Sequence, residues 1–172
     1  SARAVVSNAA APATFAMLPG GALPAEYLKR TSGFSPSLGS VIVWLGLKDD
    51  VTKLQPRAEF SIDLQDDPEA GYAAALNGEW GKAGLVCMIY DHLVPGFSPK
   101  GMSTMAIMCL SGFEPWKRFE KDYEANDKHQ YNQAKDAIAD MMVKAVEATM
   151  VPGLSKMVVM REVSSPLTNR RL

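Results

Sequence analysis

Several things are scarce in this chain of 172 residues, and each scarcity narrows what it can do. A basic excess is missing: 18 Lys and Arg stand against 19 Asp and Glu, for a net charge of −1. No positive field is available to hold a polyanion, so nucleic acid is not an expected partner. Cysteine is rare. Cys87 and Cys109 are the two present, each inside an apolar run, and they read as buried thiols rather than a disulfide framework. That usage fits a reducing compartment. No run approaches the ~18 to 20 apolar residues of a membrane span. The opening stretch Ala2 to Met17 has Arg3 as its only cation and is broken by Ser7, Asn8 and Pro12, so it is not a secretion signal. The expected location is cytoplasmic or peripheral to a membrane.

Catalytic signatures are scarce as well. There is no GxGxxG to cradle a dinucleotide, no P-loop, no Gly-x-Ser-x-Gly elbow and no CxxC pair. His92 and His129 are the only histidines, and neither has metal-ligand spacing. Asp91-His92 is the one local acid–imidazole pair, but neighbours on a strand point to opposite faces and form no dyad without a bulge. Asp63, Asp66, Asp67 and Glu69 form an acidic cluster without the ligand spacing of a calcium loop, and they read as a solvated loop ending in a helix cap. Trp116 and Phe119, three apart, fit a short amphipathic helix packed on a sheet. No catalytic and no metal-binding residue is expected in this chain.

What is present is the material of a globular core. Hydrophobic residues make up 47% and charged residues 22% of the chain, enough for one domain of ordinary size. Methionine is unusually frequent, at ten. Core filling is its plain use, and surfaces that accept long apolar ligands are the other. Ala4-Val5-Val6 reads as a buried strand in need of partners. Ala11 to Leu18 and Pro24 to Lys29 read as short helices. Val41 to Leu47 is apolar on both faces and so a central strand. Phe60, Ile62 and Leu64 alternate with polar residues as a half-buried strand. Asp67-Pro68 starts a helix. Leu85 to Tyr90 and Thr104 to Leu110 are strands joined by a long hairpin through Pro95 to Gly101. Asp127 to Met150 is a long helix with Ala134, Ile138, Met141, Ala145 and Thr149 on one face, widened by Met142 and Val146, and Asp127 with Gln130 resembles a capping box. Met157 to Val163 is a last strand. This order predicts an α+β fold, a mixed and largely antiparallel sheet with helices on one face.

The opening residues, and then the rest in order, resemble the phytoene desaturase and carotenoid isomerase group of flavoenzymes, which includes retinol-saturase-like proteins. The matching pieces are Val5-Val6-Ser7-Asn8-Ala9, Thr14-Phe15, Leu23-Pro24-Ala25-Glu26-Tyr27-Leu28, and Pro36-Ser37-Leu38 before the strand ending Leu45-Gly46-Leu47. They continue with Tyr90-Asp91, Pro95-Gly96 and Ser98-Pro99-Lys100-Gly101, then Glu114-Pro115-Trp116, Val151-Pro152-Gly153-Leu154, Pro166-Leu167-Thr168 and Arg171. Ala10-Ala11 departs from the pattern, which often has Asp-Pro there.

The resemblance implies that residues 1–172 form a single substrate-binding domain segment, with the flavin-binding regions lying before residue 1 and after residue 172. It implies FAD in the full-length protein and none in this segment, which is inactive by itself. Asn8, Ala9 and Arg171 are then the residues that contact the cofactor once the whole polypeptide is present. The implied partners are a hydrophobic isoprenoid substrate and the remainder of the same polypeptide, with peripheral membrane contact and self-association as further modes. The implied chemistry is desaturation, saturation or isomerisation of a polyene. A non-catalytic lipid- or isoprenoid-binding module and a protein-interaction domain remain as alternatives.

Overall fold

The computed structural model describes residues 3–33 and 38–170. The chain divides into two compact units, Ser1–Ser37 and Leu38–Leu172. In the first unit, helix α1 (Ala11–Ala16) carries Pro12 in its first turn, where a missing N–H leaves no bond unmade. Helix α2 (Ala25–Ser32) follows Pro24. The Phe15 and Tyr27 rings meet at 5.6 Å, and the Arg30 guanidinium lies 5.3 Å from the Tyr27 ring centre. Ala4-Val5-Val6 does not form the expected strand, and Val5 and Val6 are 86% and 96% exposed. Among the described residues no strand pairs with this run, and an unpaired backbone stays with water.

The second unit is an α+β fold. Strands β1 (Gly39–Leu47), β2 (Glu59–Ile62), β3 (Leu85–Ile89), β4 (Ser103–Ser111) and β5 (Val158–Ser164) form one sheet in the order β2-β3-β4-β1-β5. Every adjacent pair is antiparallel. Helix α3 (Pro68–Asn77) starts as the sequence indicates: the Asp67 carboxylate accepts the Glu69 amide at 3.0 Å, with Pro68 in the first turn. Gly78, at φ 78°, closes it in the left-handed region. Trp116 and Phe119 sit in a 3-10 turn that leads into α4 (Glu120–Glu124). Helix α5 (His129–Thr149) is the longest, followed by α6 (Leu154–Met157) and α7 (Pro166–Arg170).

Strand alternation decides which side chains meet the helices. Val41, Val43, Leu45, Leu47, Leu85, Cys87, Ile89, Met105, Ile107 and Cys109 share one face and are fully enclosed. Helix α5 turns Tyr131, Ile138, Ala139, Met142, Val143 and Val146 into the same core. Ile138, Met142 and Val146 of the expected stripe are buried, but the stripe is rotated: Ala134, Met141 and Ala145 lie at its margin and Thr149 is exposed. With 100° between successive residues, a stripe written in Ala and Met can be centred on either of two neighbouring rows. Contact with the sheet selects the row holding Tyr131 and Val143. The expected capping box does not form either. The helix begins at His129 with Lys128 as its cap residue, and Asp127 only reaches the His129 amide at 3.4 Å.

Candidate functional site

The sheet has a second face. Its residues are those of the opposite parity, and apart from Ala106 and Ser164, which are buried, they stay half-buried or exposed where the helix-facing residues are sealed. Across the strands one row reads Glu59, Met88, Ala106, Trp44, Glu162; the next reads Ser61, Val86, Met108, Ile42, Ser164. Each row is apolar at the centre and polar at both rims. Opposed residues on neighbouring strands stand about 5 Å apart, so Trp44, Ile42, Met88, Met108 and Val86 form one continuous apolar surface. Gly46 faces Thr104 on one side and Met160 on the other, next to an irregularity in the β1–β5 pairing. Where this face meets α3 it deepens into a groove of about 290 Å³, lined by Val86, Met108 and Leu110 from the sheet and by Gly71 and Tyr72 from the helix.

This surface was legible only in outline. Val41 to Leu47 and Leu85 to Ile89 are apolar at both parities, the signal of a strand with two apolar faces. Which parity is open depends on where the helices land. The methionines divide accordingly: Met105 and Met142 fill the core, while Met88, Met108 and Met160 lie on the open side.

The structure separates Asp91 from His92. Both lie in a 3-10 turn after β3. The Asp91 carboxylate accepts the Ser98 amide and the Ser98 hydroxyl, both at 3.0 Å, and the Thr104 amide at 2.7 Å. It spans the β3–β4 hairpin as a clamp. His92 Nε2 lies 2.8 Å from the Gln55 carbonyl, which joins the hairpin to the β1–β2 connection. The acidic cluster supplies a helix cap through Asp67, and among the described residues no group of three His, Cys, Asp or Glu side chains could hold a metal ion.

Cys87 and Cys109 are buried free thiols, and burial pushes each up to about 12. A thiol held neutral is a poor nucleophile, so both are core residues in chemistry as well as position. Trp80 and Trp116 direct their indole N–H groups to one buried hydroxyl, Ser111 Oγ, at 3.1 and 2.9 Å. Ser111 in turn donates to the Gly112 carbonyl. Sequence reading does not find this hub, since a serine at the end of an apolar strand has no distinctive signal.

Of the residues expected to contact a cofactor, Asn8 and Ala9 are exposed and precede α1. Ser7 and Thr14 order this stretch through a 2.7 Å hydroxyl contact. Arg171 lies outside the described residues, as do Pro36 and Ser37.

No family model matches the chain. It is similar to plant prolycopene isomerases. The chloroplastic prolycopene isomerase of Daucus carota is 27% identical over 172 residues, covering 99% of this chain and 25% of the relative. That of Arabidopsis thaliana is 26% identical over 172 residues, covering 99% and 26%. Prolycopene isomerase 1 of an Oncidium hybrid cultivar is 29% identical over 101 residues, covering 56% and 16%. The chain thus spans about a quarter of the length of the relatives that it matches end to end. The similarity supports a carotenoid-related assignment and agrees with the resemblance read from the motifs.

Proposed function

We propose that this chain is the substrate-facing segment of a flavin-dependent oxidoreductase or isomerase of the phytoene desaturase and carotenoid isomerase group, acting on a polyene or another isoprenoid. One observation carries the reading: an open apolar sheet face bearing Trp44, Ile42, Met88 and Met108, in a chain similar to prolycopene isomerases. Burying such a face against a long hydrocarbon gains about 25 cal/mol per Å² of apolar surface removed from water. Methionines adapt their shape to an irregular chain. The segment contributes binding, orientation and exclusion of water, and the flavin, when bound, supplies hydride or electron transfer.

Asn8, Ala9 and Arg171 are assigned to the cofactor side. Asn8 and Ala9 are exposed, and the chain has no glycine-rich phosphate cradle of its own. That fits a cofactor held mainly by the remainder of the polypeptide, and the segment alone is flavin-free and inactive.

Tryptophan emission tests the binding face. Trp44 lies on it, whereas Trp116 is buried in the core and the half-buried Trp80 sits beside Ile138 and Met141 of α5. Titration with a detergent-dispersed cis-polyene is expected to quench emission saturably. Met88→Asp places a charge in the middle of the apolar row and is expected to weaken binding by about tenfold or more. Absence of saturable quenching, or equal binding by the variant, contradicts the reading. Binding in a protein whose coding sequence lacks any nucleotide-binding motif points instead to a non-catalytic isoprenoid carrier.

A further inference from the structure

Among the described residues, two buried side-chain polar atoms have no hydrogen-bond partner: Gln65 Nε2 and Ser164 Oγ. Orphans of this kind are few in native proteins, because burial strips the group of water without returning a bond. These two stand at opposite ends of one structure. Ser164, 8% exposed, is the β5 end of the row Ser61, Val86, Met108, Ile42, Ser164 on the open sheet face. Gln65 lines the groove at the other end of that row, beside Ser61, Val86 and Met108.

Paired residues on neighbouring strands share a face, so the Ser164 hydroxyl stands on the same side of the sheet as Ile42 and Met108. The two ends of the row lie four strand spacings apart, about 19 Å. Val86, Met108 and Ile42 between them are apolar and half-buried. At the groove end the Gln65 amide packs over Gly71 of α3, where an added Cβ would lie 3.5 Å from Nε2. The last torsion of a glutamine is broad, so the amide turns toward the groove at little cost.

Charge narrows what can end at these two points. Asp63 and Asp67 line the groove, and the amine of Lys82, which lines it too, pairs with Glu79 at 2.6 Å. The neighbouring row ends in two exposed carboxylates, Glu59 and Glu162. Arg161, next to Glu162, is held by Asp136 and Asp140. A carboxylate or phosphate end group therefore meets like charge at either rim. A neutral hydroxyl or carbonyl oxygen does not, and it can accept a hydrogen bond from the Gln65 amide and from the Ser164 hydroxyl.

We infer that this row binds a linear, neutral isoprenoid oxygenated at both ends, laid across the strands with one oxygen on Gln65 Nε2 and the other on Ser164 Oγ. The inference rests on the reading of the open face as a polyene or isoprenoid surface and adds which isoprenoids that face prefers. The apolar row supplies affinity for the chain, and the two donors select its length and fix its register. A pure hydrocarbon leaves both donors buried and unpaired, so it is the weaker ligand.

The test is calorimetric titration with three forms of one geranylgeranyl chain in the same detergent: the hydrocarbon, the terminal alcohol and the diol hydroxylated at both ends. Each hydroxyl is expected to tighten binding by about fivefold. Gln65→Leu and Ser164→Ala each remove one donor, and each is expected to cancel about fivefold of the diol's advantage. The double variant is expected to bind diol and hydrocarbon alike, with its affinity for the hydrocarbon unchanged. Neither group has a partner in the free protein, so the thermal midpoints of the variants are expected to equal or exceed that of the parent. A lowered midpoint overturns the inference by giving the group a task in the fold. Equal binding of hydrocarbon and diol, the result if the two groups are merely hydrated, overturns it and leaves the open-face reading intact. A diol preference that survives both substitutions does the same. Binding by none of the three overturns both.

Discussion

At the residue scale, burial sets the chemistry of the two thiols. Cys87 and Cys109 titrate near 9 when unhindered, and burial lifts both to about 12 in the folded protein. As pH rises, the unfolded chain loses these protons first. Stability from the neutral thiols is therefore fully present below about pH 9 and is lost progressively between about 9 and 12, at about 1.4 kcal/mol per pH unit per thiol. Urea midpoints are expected to fall between about pH 8 and about pH 10, and Cys87→Ala is expected to reduce that slope. Neither thiol should react with a disulfide reagent until the chain unfolds. The thiols' burial was legible, because each cysteine sits in an apolar run. The use of Asp91 was not. Its partners Ser98 and Thr104 lie 7 and 13 positions away and become neighbours only when the hairpin closes.

At the scale of elements, strands were easier to read than helix faces. A strand's two faces alternate at every residue, so parity names both sides at once. The expected helix matches α5 to within two residues at each end, and its buried face holds Ile138, Met142 and Val146 of the expected stripe but is centred toward Tyr131, Ala139 and Val143. Ala and Met occupy adjacent rows of α5, and composition alone does not rank them. The Asp91 clamp permits a prediction at this level. Asp91→Ala removes three acceptor contacts and is expected to lower amide protection at Ser98 and Thr104 by about 10- to 100-fold, leaving the β1–β4 pairing protected. Hydrogen exchange read residue by residue checks it. Equal protection in the variant would mean that the turn holds itself without the carboxylate.

For the second unit as a whole, the first turn of α5 is tied to the last described helix. Tyr131 OH lies 2.8 Å from Ser165 Oγ and 2.7 Å from Thr168 Oγ1, and its ring packs against Trp116, Phe119 and Tyr123. Lys135 lies over the same ring and donates to the Val163 carbonyl at 3.0 Å, with burial lowering its pKa. Tyr131→Phe keeps the ring and removes the hydroxyl. It is expected to cost about 1 to 2 kcal/mol in urea unfolding and to loosen the amides of 165–169, because two hydroxyls lose a buried partner. A midpoint unchanged from the parent would show that Ser165 and Thr168 satisfy each other. In the sequence Pro166-Leu167-Thr168 is part of a resemblance, and the fold gives Thr168 a physical task.

By itself the sequence determined the α+β class, the five strands of the second unit, the buried thiols and the likeness to carotenoid enzymes, because local periodicity and ordered motifs are properties of the chain. The tertiary structure decided which sheet face stays open, where Asp91 is spent and that Ser111 joins two tryptophans. Those outcomes depend on which side of the sheet the helices cover, and helix docking is set by the summed packing of residues far apart in the chain.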